Sequence, residues 1–200
     1  NLQTVILSGE QVNANKGQEG YVDRLQGYLF YLLVNINNNT TNKDLQNVNI
    51  RKAMSYALDR EAIATALNDG SVAAEGIVPI QLAGNPETGA DFRDDNGKLV
   101  DYNVEEAKKL YEAGKAELGH DVTIELLYGT DEGDSVIKAA EQIQYYLEQV
   151  GFTVNLNGKP KKERLTLQRA YTFDVALTRW GPDYGDPQTY MDLFVSSNTS

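Results

Sequence analysis

Three carboxylates, Asp183, Asp186 and Asp192, follow the chain's only tryptophan, Trp180, inside the stretch LTRWGPDYGDPQTYMDLF (Leu177 to Phe194). Glycines and prolines separate them. Asp183 and Asp186 could act as an acid/base pair, as in a glycosidase. The acids could instead hold a cation, or cap and solvate a turn. Asp186 stands directly before Pro187, the arrangement of a cap followed by a helix-starting proline. Capping accounts less well for Asp183, which lies close to the indole of Trp180 and the phenol of Tyr184. A carboxylate among aromatic rings can anchor one positive charge in a low-dielectric setting.

Other candidates carry less. His120 is the only histidine, placed between a helix end and a strand, where a cation suits the helix dipole. No nucleophile partner lies near it. The chain has no GxSxG, no Walker A and no GxGxxG, so serine-hydrolase and nucleotide-cradling readings have no support. DFRDDNGKLVDYNVEE resembles a calcium loop when Gly97 is set at its sixth position. The first position is then Phe92 and the twelfth Asn103, so two key ligands are missing and a solvated hairpin turn is the better reading. TDEGD (Thr130 to Asp134) could bind a cation, but reads more simply as a polar turn with Asp134 or Ser135 as N-cap.

The elements that must position these residues follow from periodicity and punctuation. Gly27 to Asn37 reads as a buried strand, and Asn37 to Asp44 as a loop. Ile50, Ala53, Met54, Ala57 and Leu58 recur at three and four, which predicts an amphipathic helix. Asp59 caps a second helix, with Ile63, Ala66 and Leu67, ending at Gly70. Ser71 to Tyr102 is irregular, with a tight hairpin expected at Asp95 to Leu99 because Asn-Gly takes positive φ. Asn103 caps a helix with two acids in its first turn. Asp121 to Gly129 is a strand, and Asp134 to Gly151 a helix stopped by Gly151. FTVNLN is a strand, Lys159 to Tyr171 helical, and Phe173 to Trp180 the last strand. Alternation of strands and helices makes this α/β with one main sheet.

Composition excludes several partners. Lys and Arg number 18 against 29 Asp and Glu, for a net charge of −11. That field repels phosphate backbones and anionic headgroups, which argues against nucleic acid and membrane surfaces. The longest apolar run, Tyr28 to Val34, is far short of the roughly 20 residues that span a bilayer. With no cysteine there are no disulfides and no thiolate chemistry. No cofactor is expected. A start at Asn1 without a signal peptide, and a stop just after a helix-like segment, suggest a piece of a larger protein.

Four stretches, taken in order, carry a family resemblance: NVNIRKAMSYALDREAI, DYNVEEAKKLYEAG, AEQIQYYLEQVGFTVNLN and YTFDVALTRWGPDYGDPQTYMDLF. They run from Asn47 to Phe194, and the last is the most specific. The first forty residues match only loosely, through a strand ending at Asn35. The chain resembles the oligopeptide-binding proteins of bacterial ABC importers, in the peptide/nickel-type family of extracytoplasmic solute-binding proteins.

The resemblance implies a two-lobed, Venus-flytrap clamp closing on an extended peptide, with residues 1–200 forming one lobe. The other lobe, the lipoprotein signal and the C-terminal tail would lie outside this chain. By resemblance the motif aspartate, Asp183, pairs with the ligand's α-ammonium group, Gly181 pairs with its main chain, and Trp180 and Tyr184 line the site. The partners implied are an oligopeptide, the transporter permease and the remaining lobe. Membrane contact would come only through a lipid anchor absent from this chain. The location implied is extracytoplasmic, either anchored at the outer face of the membrane or periplasmic. The fold is also compatible with a signalling peptide, nickel, haem or a sugar as ligand. An extracellular hydrolase using Asp183 and Asp186 ranks last.

Overall fold

The computed structural model describes residues 7, 9–38, 40–99 and 101–195. Its centre is a four-stranded mixed sheet in the order β1-β4-β2-β3. The strands are β1 (Leu29–Val34), β2 (Thr123–Gly129), β3 (Thr153–Lys159) and β4 (Val175–Trp180). β2 runs parallel to both β3 and β4, while β1 lies antiparallel to β4, with Leu29 opposite Trp180 and Val34 opposite Val175.

Side-chain alternation along the strands divides the core into two faces. Ile124, Leu126, Val154, Val175 and Leu177 point to one face, where they meet α2 (Val48–Ala57), α5 (Val104–Leu118) and α6 (Asp134–Glu148). Ile63 and Leu67 of α3 (Arg60–Leu67) pack against the same cluster. Leu127 and Ala176 point the other way, with Phe173 and Leu167 of α7 (Lys161–Arg169). Helices on both faces are what a largely parallel sheet requires.

The caps read from the sequence at Asp59 and Asn103 are in place. Asp59 accepts from Ala62 N–H at 2.9 Å and Asn103 from Glu106 N–H at 3.0 Å. α3 stops at Leu67, short of Gly70, because Asn68 itself adopts the left-handed conformation at φ 51° and supplies the C-cap. α6 has Gly133 at its N-cap position, with no side-chain bond, so neither Asp134 nor Ser135 fills that role.

Two further expectations are corrected. The hairpin at Asp95 to Leu99 is instead the end of a short helix, α4 (Phe92–Asn96). Asp91 caps it through Arg93 N–H at 2.8 Å, and the positive φ of Gly97 (62°) closes the helix rather than turning a hairpin. Strand β1 spans fewer residues than predicted and is not buried on both faces. It is one edge of the sheet, and its Phe30 and Leu33 are exposed. A run without polar alternation looked buried, but an edge strand next to further apolar surface gives the same pattern. The N-terminal stretch also holds an unforeseen helix, α1 (Gly9–Asn15), with no buried residue.

The packing of α2 on α5 makes a testable claim. A β-carbon on Gly114, within α5, would sit 2.6 Å from Ile50 Cδ1 and 2.8 Å from Cγ1, and Ile50 is fully buried. Glycine-to-alanine inside a helix normally stabilises by about 1 kcal/mol. Here the clash outweighs the gain, since overpacking a tight core costs about 1–3 kcal/mol. Gly114→Ala is therefore expected to lower the urea midpoint, and a raised midpoint would contradict this packing.

Candidate functional site

The motif stretch leaves the sheet at the C-terminal end of β4 and turns into α8 (Gln188–Met191). Val175 to Thr178 are buried, Arg179 is exposed and Trp180 is half-buried. The loop from Gly181 to Gln188 is tied back to one residue, Thr189, from the tryptophan that precedes it and from Asp183 within it. Trp180 Nε1–H donates to the Thr189 carbonyl at 2.9 Å, and the Thr189 hydroxyl accepts from Asp183 N–H at 3.1 Å. Thr189 is 3% exposed.

Beneath the loop lies a small apolar cluster of Leu29, Val78 and Tyr190, with Trp180, Tyr31, Ile77, Leu82 and Phe92 around it. The irregular stretch between α3 and α4 thus has a purpose: its residues 74 to 92 fill the space under Trp180. Tyr190 is fully buried, and its hydroxyl donates to the Gly27 carbonyl, which ties α8 to the segment leading into β1. Gly27 takes φ +70°, and a β-carbon there would lie 3.2 Å from Pro182 Cγ. Burial raises the pKa of the Tyr190 phenol above its ordinary value.

Within this frame the acids separate by role. Asp186 accepts from Gln188 N–H at 2.8 Å, and its own carbonyl accepts from Thr189 N–H at 3.2 Å. It caps the start of α8, as its place before Pro187 predicts. Asp192 lies 3.4 Å from the hydroxyl of the exposed Tyr184. The Tyr184 phenol has a raised pKa, through desolvation first and then through the charges of Asp192, Asp186 and Asp183. The Asp183 side chain is exposed, and no described residue hydrogen-bonds or ion-pairs with its carboxylate. The backbone of this acid is fixed while its charge is left over.

Gly181 follows the last paired residue of β4, and no described residue hydrogen-bonds its main chain. A side chain at this position would overlap the Tyr28 ring, which lies against it. The Arg179 guanidinium stacks on the same ring, 5.0 Å from the Tyr28 centroid, and lies 5.8 Å from that of Phe30. The loop end therefore offers a free carboxylate, free backbone and an aromatic wall, the fittings of a site for a cation-bearing chain with amide groups.

The remaining sequence candidates are structural. Asp131 accepts from Lys161 N–H at 2.7 Å, and Glu132 pairs with Arg164 at 2.8 Å, so TDEGD is an internal polar turn. His120 is exposed, with Nε2 3.5 Å from Asp44. Among the described residues no group of three or more His, Cys, Asp and Glu side chains is placed to hold a metal ion.

Sequence reasoning did not single out Thr189, Tyr190, Tyr28 or the Glu132–Arg164 pair. Their roles depend on contacts between distant segments, and no local spacing marks them. A threonine just past an Asp-Pro helix start was the one available hint, and it reads equally as a first-turn residue.

The fold is that of solute-binding proteins of the periplasmic-binding-protein type. The pattern of the bacterial extracellular solute-binding proteins, family 5 Middle, matches residues 3–200, and the chain belongs to this family. It is 32% identical over 204 residues to a dipeptide-binding protein of Lactococcus lactis, covering 98% of this chain and 37% of that protein. The structure of Listeria monocytogenes OppA bound to peptide superposes with a TM-score of 0.86 at 34% identity, over 96% of this chain and 38% of OppA. The pheromone receptor PrgZ gives a TM-score of 0.85 at 32% identity, over 96% and 38%. The chain thus spans well under half of the length of each of these three proteins.

Proposed function

We propose that this chain is the lobe of an extracytoplasmic oligopeptide-binding protein that holds the ligand's amino terminus, delivering peptide to an ABC importer. The observation that carries the reading is the Asp183 carboxylate, unpaired among the described residues, on a residue whose own backbone N–H is held by Thr189. Asp183 takes the peptide's α-ammonium group. Gly181 offers its N–H and carbonyl to the ligand main chain, in the manner of an added strand. Pro182 has no N–H to give, so the main-chain contact falls on Gly181 or a carbonyl. Trp180 and Tyr184 wall the site.

Main-chain recognition tolerates many side chains, which suits capture of mixed peptides. The remaining lobe closes over the ligand and removes the ion pair from water. A pair buried this way must repay its desolvation, so the fixed geometry of the loop matters. The permease and a lipid anchor complete the assembly, and the chain itself does no chemistry on the peptide.

A second reading, reception of a signalling peptide, draws support from the likeness to the pheromone receptor PrgZ. The same anchor serves both. The test is mass spectrometry of the ligands released from full-length protein purified without denaturation. Short peptides with free amino termini are expected, a mixture for an importer and one sequence for a receptor. Release of haem, nickel or sugar, or of peptides blocked at the amino terminus, would overturn the proposal.

A further inference from the structure

We propose that Thr189 is the positioning residue of the amine anchor: it sets where the Asp183 carboxylate stands. This rests on the reading of Asp183 given above. Thr189 is the point at which the loop is closed. Its carbonyl takes the Trp180 indole N–H at 2.9 Å and its hydroxyl takes the Asp183 N–H at 3.1 Å. Its own N–H goes to the Asp186 carbonyl at 3.2 Å. One buried residue therefore binds the last residue of β4, the loop's anchor residue and its cap.

The side-chain hydroxyl is the unusual member of this set. A threonine in the first turn of a helix ordinarily faces solvent or the preceding backbone. This one is 3% exposed and spends its acceptor on the N–H of the acid six residues earlier. That bond fixes the Asp183 backbone without touching its carboxylate, which stays available. A charge pair gains from low dielectric only when its geometry is held, because reorientation of the carboxylate would otherwise absorb the gain.

The test uses the full-length protein and alanine peptides of two to six residues, each with a free or an N-acetylated amino terminus. The quantity read is the ratio of the two dissociation constants. Thr189→Val keeps the shape and deletes the acceptor. It is expected to weaken the free-amine peptide by about five- to tenfold, the scale of one net hydrogen bond. The acetylated peptide should change by less than about twofold on the same scale. Thr189→Ser, which restores the hydroxyl, should recover the ratio. In the Asp183→Asn background, Thr189→Val should leave the ratio unchanged, since the group it positions is gone.

Equal weakening of both peptides would mean that Thr189 only stabilises the fold, and would overturn the proposal. If Asp183→Asn abolishes the ratio but Thr189→Val leaves it intact, the positioning role alone fails. If the wild type shows no ratio at all, the anchor reading fails with it. Should Thr189→Val not fold, Trp180→Phe opens the clasp from its other side by removing the indole donor. An unchanged ratio in that variant would also overturn the proposal.

Discussion

Replacing Glu132 by alanine is expected to remove about 3–5 kcal/mol of folding stability, far more than an ordinary ion pair would suggest. The Glu132 carboxylate meets Arg164 Nε–H at 2.8 Å, and the two side chains are 7% and 3% exposed. Arg164 also donates to the Thr178 hydroxyl at 3.1 Å and to the Gln168 side chain. Without Glu132 the guanidinium is left buried without its counter-charge. An exposed pair would cost at most about 1 kcal/mol. Thr178 lies two residues before Trp180, so this network also pins α7 beneath the strand that carries the site. Replacing Glu132 and Arg164 together by Leu and Met should recover most of the loss, because no orphan charge remains. Equilibrium urea unfolding of the three variants measures this. A loss under about 1 kcal/mol for Glu132→Ala would show that the pair behaves as a surface one.

Asp183→Asn in the full-length protein is expected to weaken binding of free-amine peptides by roughly two to three and a half orders of magnitude. The substitution keeps the side chain's shape and removes its charge. Losing one partner of a desolvated pair costs about 3–5 kcal/mol, and each 1.4 kcal/mol is about tenfold in affinity. The fold should be untouched, because no described residue bonds to this carboxylate. Asp186→Asn is the matched control. Asp186 caps α8 through Gln188 N–H, and asparagine caps about as well as aspartate. Its effect on affinity should be within a few-fold, as read by calorimetric titration of both variants.

The contrast between these two acids shows how far the sequence could be read. Asp186 was legible because capping is a local rule, written in the residue that follows it. Asp183 was legible only as an acid that local rules did not explain, next to aromatic rings. The helices α2, α3, α5 and α6 and the strands β2, β3 and β4 followed from period and punctuation, since each buries a face large enough to impose its pattern. β1 misled because edge and interior strands share an apolar run when further surface lies beside the edge. Asn-Gly at 96–97 misled because the positive φ it supplies suits a helix stop as well as a hairpin. Thr189 and the Glu132–Arg164 pair were invisible for a different reason. A hydrogen bond between residues six or more apart across a turn, or between a loop and a helix 32 residues later, leaves no periodic trace.

The most direct test of the account is a calorimetric titration of wild-type and Asp183→Asn full-length protein with one peptide in free-amine and N-acetylated forms. The wild type should discriminate the two forms by roughly two orders of magnitude or more, the scale of one lost charge pair. Asp183→Asn should bind both about equally. The two changes together should cost less than their sum, because they remove the same interaction. Binding of the free-amine peptide by Asp183→Asn as tightly as by the wild type would contradict the assignment of Asp183 as the anchor.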